Sequence, residues 1–236
     1  MRPLHALLAP FALLGLAAAG PATPPAAAPA AQKVDWVRVV ARVPGGGVRQ
    51  GNPNAPVKLV EYGSRSCPTC GRFAQEGVGP LRANYIATGK VSYEFRDYPV
   101  HPQDPAGAIL GRCTTDAGFF PVLDAFYAEQ QRLNANAESA TDAELAPLAD
   151  APLTRVQAFW ARKAGYIDLL QRKGMSAARI QACLNDPANI RSFGTLIETA
   201  RSQGVNSTPT FFVNGNRLDG IYLWAQLEPV LKGYGG

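Results

Sequence analysis

Apolar and polar positions alternate from Val57 to Tyr62. Val57, Leu59 and Glu61 share one face of an extended segment, and Lys58, Val60 and Tyr62 share the other. The same period returns at Val91, Tyr93 and Phe95 against Ser92, Glu94 and Arg96, which predicts another strand. Between the two, Ala74, Val78, Leu81 and Tyr85 fall on one helical face, and Pro80 is expected to kink that helix. Upstream, Trp36 to Val43 (WVRVVARV) reads as a first strand and Gly51 to Pro56 (GNPNAP) as a loop.

From about Pro105 to Gln203 the period becomes helical. Phe119, Val122, Leu123 and Phe126 form one stripe, Ile180, Cys183 and Leu184 a second, and Ile190, Phe193, Ile197 and Ala200 a third. Asn134 to Pro152 is rich in alanine and acid and reads as a surface helix joined by loops. Strand character returns at Thr210 to Val213, followed by Asn214-Gly215, a strong hairpin signal. A last strand near Arg217 and a helix from about Tyr222, carrying Trp224, Leu227 and Leu231, close the chain. Pro229 is expected to weaken that helix's later turns. A βαβ opening and a ββα ending separated by a long helical block predict an α/β fold with an inserted all-helical cap.

The composition, 47% hydrophobic and 17% charged, fits a packed core and excludes a disordered chain. The formal net charge of +5 is mild and comes without a dense Lys/Arg run, so no nucleic-acid partner is expected. The N-terminus changes the picture more. A basic Arg2, an apolar ALLAPFALLGLAAAG and small residues at Ala17 to Ala19 read as a signal peptide over residues 1–20, cleaved near Ala19. Residues 21–35 then read as a Pro/Ala-rich tether. No later segment is long and apolar enough to span a bilayer, so a soluble, exported, periplasmic protein is expected.

In an oxidising compartment four cysteines are expected to pair, and three pairings are open. Closeness favours Cys67 with Cys70, which leaves Cys113 and Cys183 for each other or as buried free thiols. Zinc would need further ligands, but the chain has only His5 and His101 beside these thiols, so no metal site is expected. Position 71 is Gly, which excludes a c-type haem attachment. Cys67 falls where a strand gives way to a helix, and unpaired amides and the dipole at a helix N-terminus favour a thiolate. Arg65 and Arg72 would add to this if they point inward. Cys70, one turn further in, would be shielded and act as the resolving thiol.

CPTC with Glu61 six residues upstream, GVNSTPTFFVNG (Gly204 to Gly215), FRDYPVH (Phe95 to His101) and FFPVLDAFYAEQ (Phe119 to Gln130) together resemble the DsbA-like thiol oxidoreductases of the thioredoxin superfamily. The resemblance covers roughly residues 50–235. It implies a thioredoxin fold split into residues 36–104 and 204–236 around a helical insert at 105–203. It implies that Cys67 is the nucleophile and Cys70 its resolving partner, that Pro209 is a cis proline, and that Thr208 lies beside it to pair with an extended client. Glu61 would be a buried acid relaying a proton to or from Cys70. A second, non-catalytic disulfide between Cys113 and Cys183 is implied by some relatives. The expected partners are reduced exported proteins and a membrane quinone-linked thiol oxidase, with no cofactor. Thr69 stands where the best-known relatives have histidine, so a milder oxidant is expected. His101 is read equally as lining the approach to the site or as a plain surface residue. A disulfide isomerase or reductase using the same thiols is the competing activity, and a non-enzymatic chaperone a third. The short tether leaves little room for a dimerisation domain, which predicts a monomer.

Overall fold

The computed structural model describes residues 34–236; residues 1–20, read as a signal peptide, and nearly all of residues 21–35, read as a tether, lie outside them. The chain forms a six-stranded mixed sheet of β1 (Val40–Arg42), β2 (Val48–Gln50), β3 (Val57–Gly63), β4 (Val91–Asp97), β5 (Thr210–Val213) and β6 (Asn216–Leu218). The spatial order is β1-β2-β4-β3-β5-β6. Only the central β3–β4 pair is parallel, with Leu59 opposite Tyr93 and Glu61 opposite Phe95. It is bridged by α1 (Pro68–Leu81), the crossover that a parallel pair requires. β5 runs antiparallel to β3, with Tyr62 opposite Thr210, and Asn214 (φ 51°) and Gly215 (φ 83°) turn it into β6.

Between β4 and β5 lies the helical insert: α2 (Asp104–Arg112), α3 (Asp116–Ala128), α4 (Gln130–Glu138), α5 (Asp142–Leu145), α6 (Leu153–Lys163), α7 (Tyr166–Arg172), α8 (Ala177–Asn185) and α9 (Pro187–Ser202). α10 (Trp224–Gly233) closes the chain. Two apolar cores result. Leu59, Tyr93, Phe95 and Phe211 pack with Phe73, Leu81, Leu227 and Leu231 of α1 and α10 and with Phe119 and Phe120 of α3. The other core lies within the insert, around Phe126, Trp160, Tyr166 and Leu184, and Tyr62 reaches it from the sheet.

The structure departs from the sequence pattern in places. Trp36 to Val43 is not one strand: Trp36–Arg38 is a 3-10 turn, and only Val40–Arg42 pairs. Its partner β2 has just three residues, too few for an alternation to show. α1 continues through Pro80 and widens into a π turn at Arg82–Ile86. α10 likewise runs past Pro229 to Gly233, held by Leu227 and Leu231, which are fully buried on either side of the proline. The Asn134 to Pro152 stretch is helical only in pieces.

Candidate active site

β3 ends at Gly63, and four residues later Cys67 caps α1 in an extended conformation (φ −69°, ψ 120°), with Pro68 in the first helical position. Proline suits that place because its fixed φ is helical and the missing N–H has no partner there in any case. Cys67 is 7% exposed, whereas Cys70, one turn deeper, is completely buried. Neither is bonded, so the pair is in its dithiol form. The Cys67 thiol donates to the Thr208 carbonyl at 3.4 Å, which places the Thr208–Pro209 peptide, a cis bond, beside the sulfur.

The electrostatics separate the two thiols. A hydrogen bond from Cys70 holds Cys67 well below the usual thiol range, at about 5. Burial opposes this, while the Thr208 side chain and the amides of Cys70 and Thr69 assist it. Burial pushes Cys70 well above the usual range, reinforced by its bond to Cys67 and by the charge of Glu61. The two arginines contribute otherwise than expected. Arg65 does point inward, but its guanidinium is bound to Asp97 at 2.9 Å. Arg72 lies outside and pairs with Glu76 across one helical turn.

Glu61 is 1% exposed on the face it shares with Val57 and Leu59. The Tyr93 hydroxyl donates to its Oε2 at 2.6 Å, and its Oε1 has no hydrogen-bond partner. Burial pushes its carboxyl up to about 8, the Tyr93 bond pulling it down and the Cys67 charge raising it further. A carboxyl raised this far keeps its proton to a higher pH than an ordinary glutamate does.

Several residues of the site escape a reading of the sequence. Ser64 Oγ accepts from the backbone N–H of Ser66 at 3.1 Å and of Cys67 at 3.0 Å, and donates to Asp104 Oδ2 at 2.8 Å. Asp104, at the start of α2, also accepts from the amides of Ser66, Val100 and His101. His101 is exposed, and its Nδ1 lies 2.7 Å from Ser66 Oγ, so it borders the segment that leads into Cys67. Tyr93 and His101 were within reach of the sequence: Tyr93 alternates onto the apolar face of its strand and, opposite Leu59, lies diagonal to Glu61, and His101 follows that strand. Away from the thiol pair, Cys113 at the end of α2 and Cys183 in α8 are joined by a disulfide with Cα atoms 6.2 Å apart.

Known proteins are similar to this chain. The thioredoxin family model matches residues 44–232. A candidate protein-disulfide oxidoreductase of Rickettsia conorii is 29% identical over 197 residues, which cover 79% of this chain but only 62% of that relative. The chain thus spans about three-fifths of the length of that curated relative. The crystal structure of a protein-disulfide isomerase from Novosphingobium aromaticivorans superposes with a TM-score of 0.75 at 27% identity, covering 80% of this chain and 97% of that one. That of alpha-DsbA1 from Wolbachia pipientis superposes at 0.58 with 23% identity, covering 79% and 90%, and shares the fold.

Proposed function

Because the chain belongs to the thioredoxin family, we propose that it is an exported, DsbA-like thiol:disulfide oxidoreductase that forms disulfides in client proteins through Cys67 and Cys70. In the oxidised enzyme a client thiolate attacks Cys67 Sγ. The Cys67–Cys70 bond breaks and its electron pair leaves on Cys70. Cys70 is the more basic group, so the proton passes to it from the Glu61 carboxyl. A second client thiolate then attacks the client sulfur of the mixed disulfide and releases Cys67 as a thiolate. Two client thiols have become a disulfide, and the enzyme disulfide has become two thiols. Thr208 and Pro209 border Cys67 and offer backbone to an extended client strand.

The observation that carries this reading is the contrast within CPTC: a helix-capping Cys67 with a sliver of exposure, favoured as thiolate, over a wholly buried and basic Cys70. Stabilising the Cys67 thiolate stabilises the reduced pair and so makes its disulfide oxidising. The monomeric state, the quinone-linked oxidase as reoxidising partner, periplasmic residence and a structural role for Cys113–Cys183 complete the proposal.

The name of the Novosphingobium neighbour favours one competitor, a disulfide isomerase built on the same thiols. Equilibration of the mature protein with glutathione buffers separates the two. A potential at or above that of an oxidising compartment's glutathione pool is expected, and a thioredoxin-like reducing value would transfer the site to reduction or isomerisation. A stable dimer by chromatographic mass would also favour the isomerase.

A further inference from the structure

The chain from Ser64 to Cys67 turns from strand into helix, and its four consecutive carbonyls are met by three side chains of the insert. Tyr127 of α3 donates its hydroxyl to the Ser64 carbonyl at 3.2 Å. Gln130, which opens α4, donates Nε2 to two carbonyls at once, Arg65 at 3.0 Å and Cys67 at 2.9 Å. Asn134, one turn on, donates Nδ2 to the Ser66 carbonyl at 2.8 Å. The spacing i, i+3, i+7 puts all three on one helical face although the helix axis breaks at Glu129. Tyr127 and Gln130 are buried, so these bonds are shielded from water.

A second observation points the same way from the other partner. A Cβ at Gly71, the residue after Cys70, would overlap Gln130 Oε1. Glycine directly behind the two thiols is therefore what lets the Gln130 amide approach the active-site turn. Most of these carbonyls have no partner within α1 itself; Cys67 O is the exception, receiving the Gly71 amide at 3.0 Å.

We propose that the insert acts on the redox pair as a clamp, with Tyr127, Gln130 and Asn134 fixing the Ser64–Cys67 backbone so that the first turn of α1 keeps its amides on the Cys67 sulfur. Gln130, which spans the cap residue and Arg65, is the central positioning residue. The inference rests on the oxidoreductase reading for its consequence and on geometry for its mechanism. When the clamp is released the first turn loosens, the Thr69 and Cys70 amides serve the thiolate less well, and the reduced pair loses stability relative to the disulfide.

Gln130→Met keeps the length and removes the donor. A hydrogen bond contributes about 1 kcal/mol, and about half of that difference reaching the thiolate shifts the equilibrium with glutathione about twofold toward the enzyme disulfide. The Cys67 thiolate, followed by its absorbance in a pH titration, should form at higher pH in the same variant. Asn134→Leu and Tyr127→Phe, which each remove one bond, should shift both readouts in the same direction but less, and they carry the test if Gln130→Met does not fold. Variants that are less stable but keep the wild-type potential and the wild-type thiolate titration would overturn the clamp and leave Gln130 a packing residue. A wild-type pair that does not equilibrate with glutathione would overturn the oxidoreductase reading instead, and the thiolate titration would still judge the clamp.

Discussion

The guanidinium of Arg65 lies 2.9 Å from the carboxylate of Asp97, and neither side chain is more than 4% exposed. It sits two residues before Cys67, among the rings of Phe95, Phe119 and Phe126 at 5.0 to 5.9 Å, and a Cβ on Gly111 of α2 would overlap it. The pair thus joins the end of β4 to two helices of the insert. Arg65→Ala should destabilise the fold by about 3–5 kcal/mol, because it leaves the Asp97 charge buried without a partner. Arg65→Lys should recover little, since an ammonium cannot reproduce the planar contacts. Replacing both residues by apolar ones should cost less than Arg65→Ala alone. Denaturant unfolding of the three variants checks this, and a mild loss in the single alanine variant would contradict it.

Cys67 should alkylate with a pH dependence that has its inflection near 5, the position set by the Cys70 bond and the helix amides. Cys70 should stay unmodified at neutral pH in the folded protein, being buried and pushed well above the usual range. Mass spectrometry after a short iodoacetamide pulse reads both. Equal labelling of the two thiols would contradict the assignment of roles.

Stability should depend on pH in opposite directions through the two groups. Folding lowers the Cys67 value from 9.0 to about 5, so the folded dithiol holds fewer protons than the unfolded chain in that window and gains stability as pH rises through it. That gain is lost as pH falls through about 5, and the disulfide form lacks it altogether. Folding raises Glu61 from 4.5 to about 8, so its contribution falls as pH rises through that window and levels off above about 8. The two slopes oppose each other in the dithiol protein, and the oxidised protein should show the Glu61 slope alone. Melting temperatures of both redox forms across pH test the sign of each, with oxidised Glu61→Gln as the flat control and reduced Glu61→Gln showing the Cys67 slope alone.

The Tyr93 hydroxyl holds the Glu61 carboxyl at 2.6 Å and lowers its proton affinity. Tyr93→Phe should raise that affinity further, make Glu61 a weaker acid and slow the release of Cys70 a few-fold. Glu61→Gln removes the proton source and should slow it by at least about tenfold while the protein remains folded. Stopped-flow oxidation of a model dithiol peptide measures both. Unchanged rates in Glu61→Gln would remove Glu61 from the mechanism.

Much of this was legible because the chemistry is local. CPTC opening a helix, the alternation that buries Glu61 and the Asn214-Gly215 hairpin each follow from a few adjacent residues. What stayed hidden depends on distant partners. Gln130 and Asn134 are polar residues on a helix, which a sequence reading assigns to solvent, and only the folded chain brings them to the carbonyls ahead of Cys67. Arg65 reads as a cation for the thiolate until Asp97, 32 positions on, turns out to hold it. β2 is missed for another reason: three residues paired on both sides need no pattern of their own.

The pairing of Leu59 with Val213 has a consequence in time. The two CPTC cysteines leave the ribosome long before Thr208, and β5 can join β3 only by closing a loop of about 150 residues, a slow event in any chain. Until then Cys67 has no Thr208 against its sulfur, and its thiolate rests on Cys70 and the first-turn amides alone. Pulse alkylation at about pH 6 during refolding should therefore find Cys67 less reactive before β5 has docked than after. Full competence as an oxidant then comes only with a chain that has finished folding, and an immature molecule is the weaker cross-linker of its neighbours.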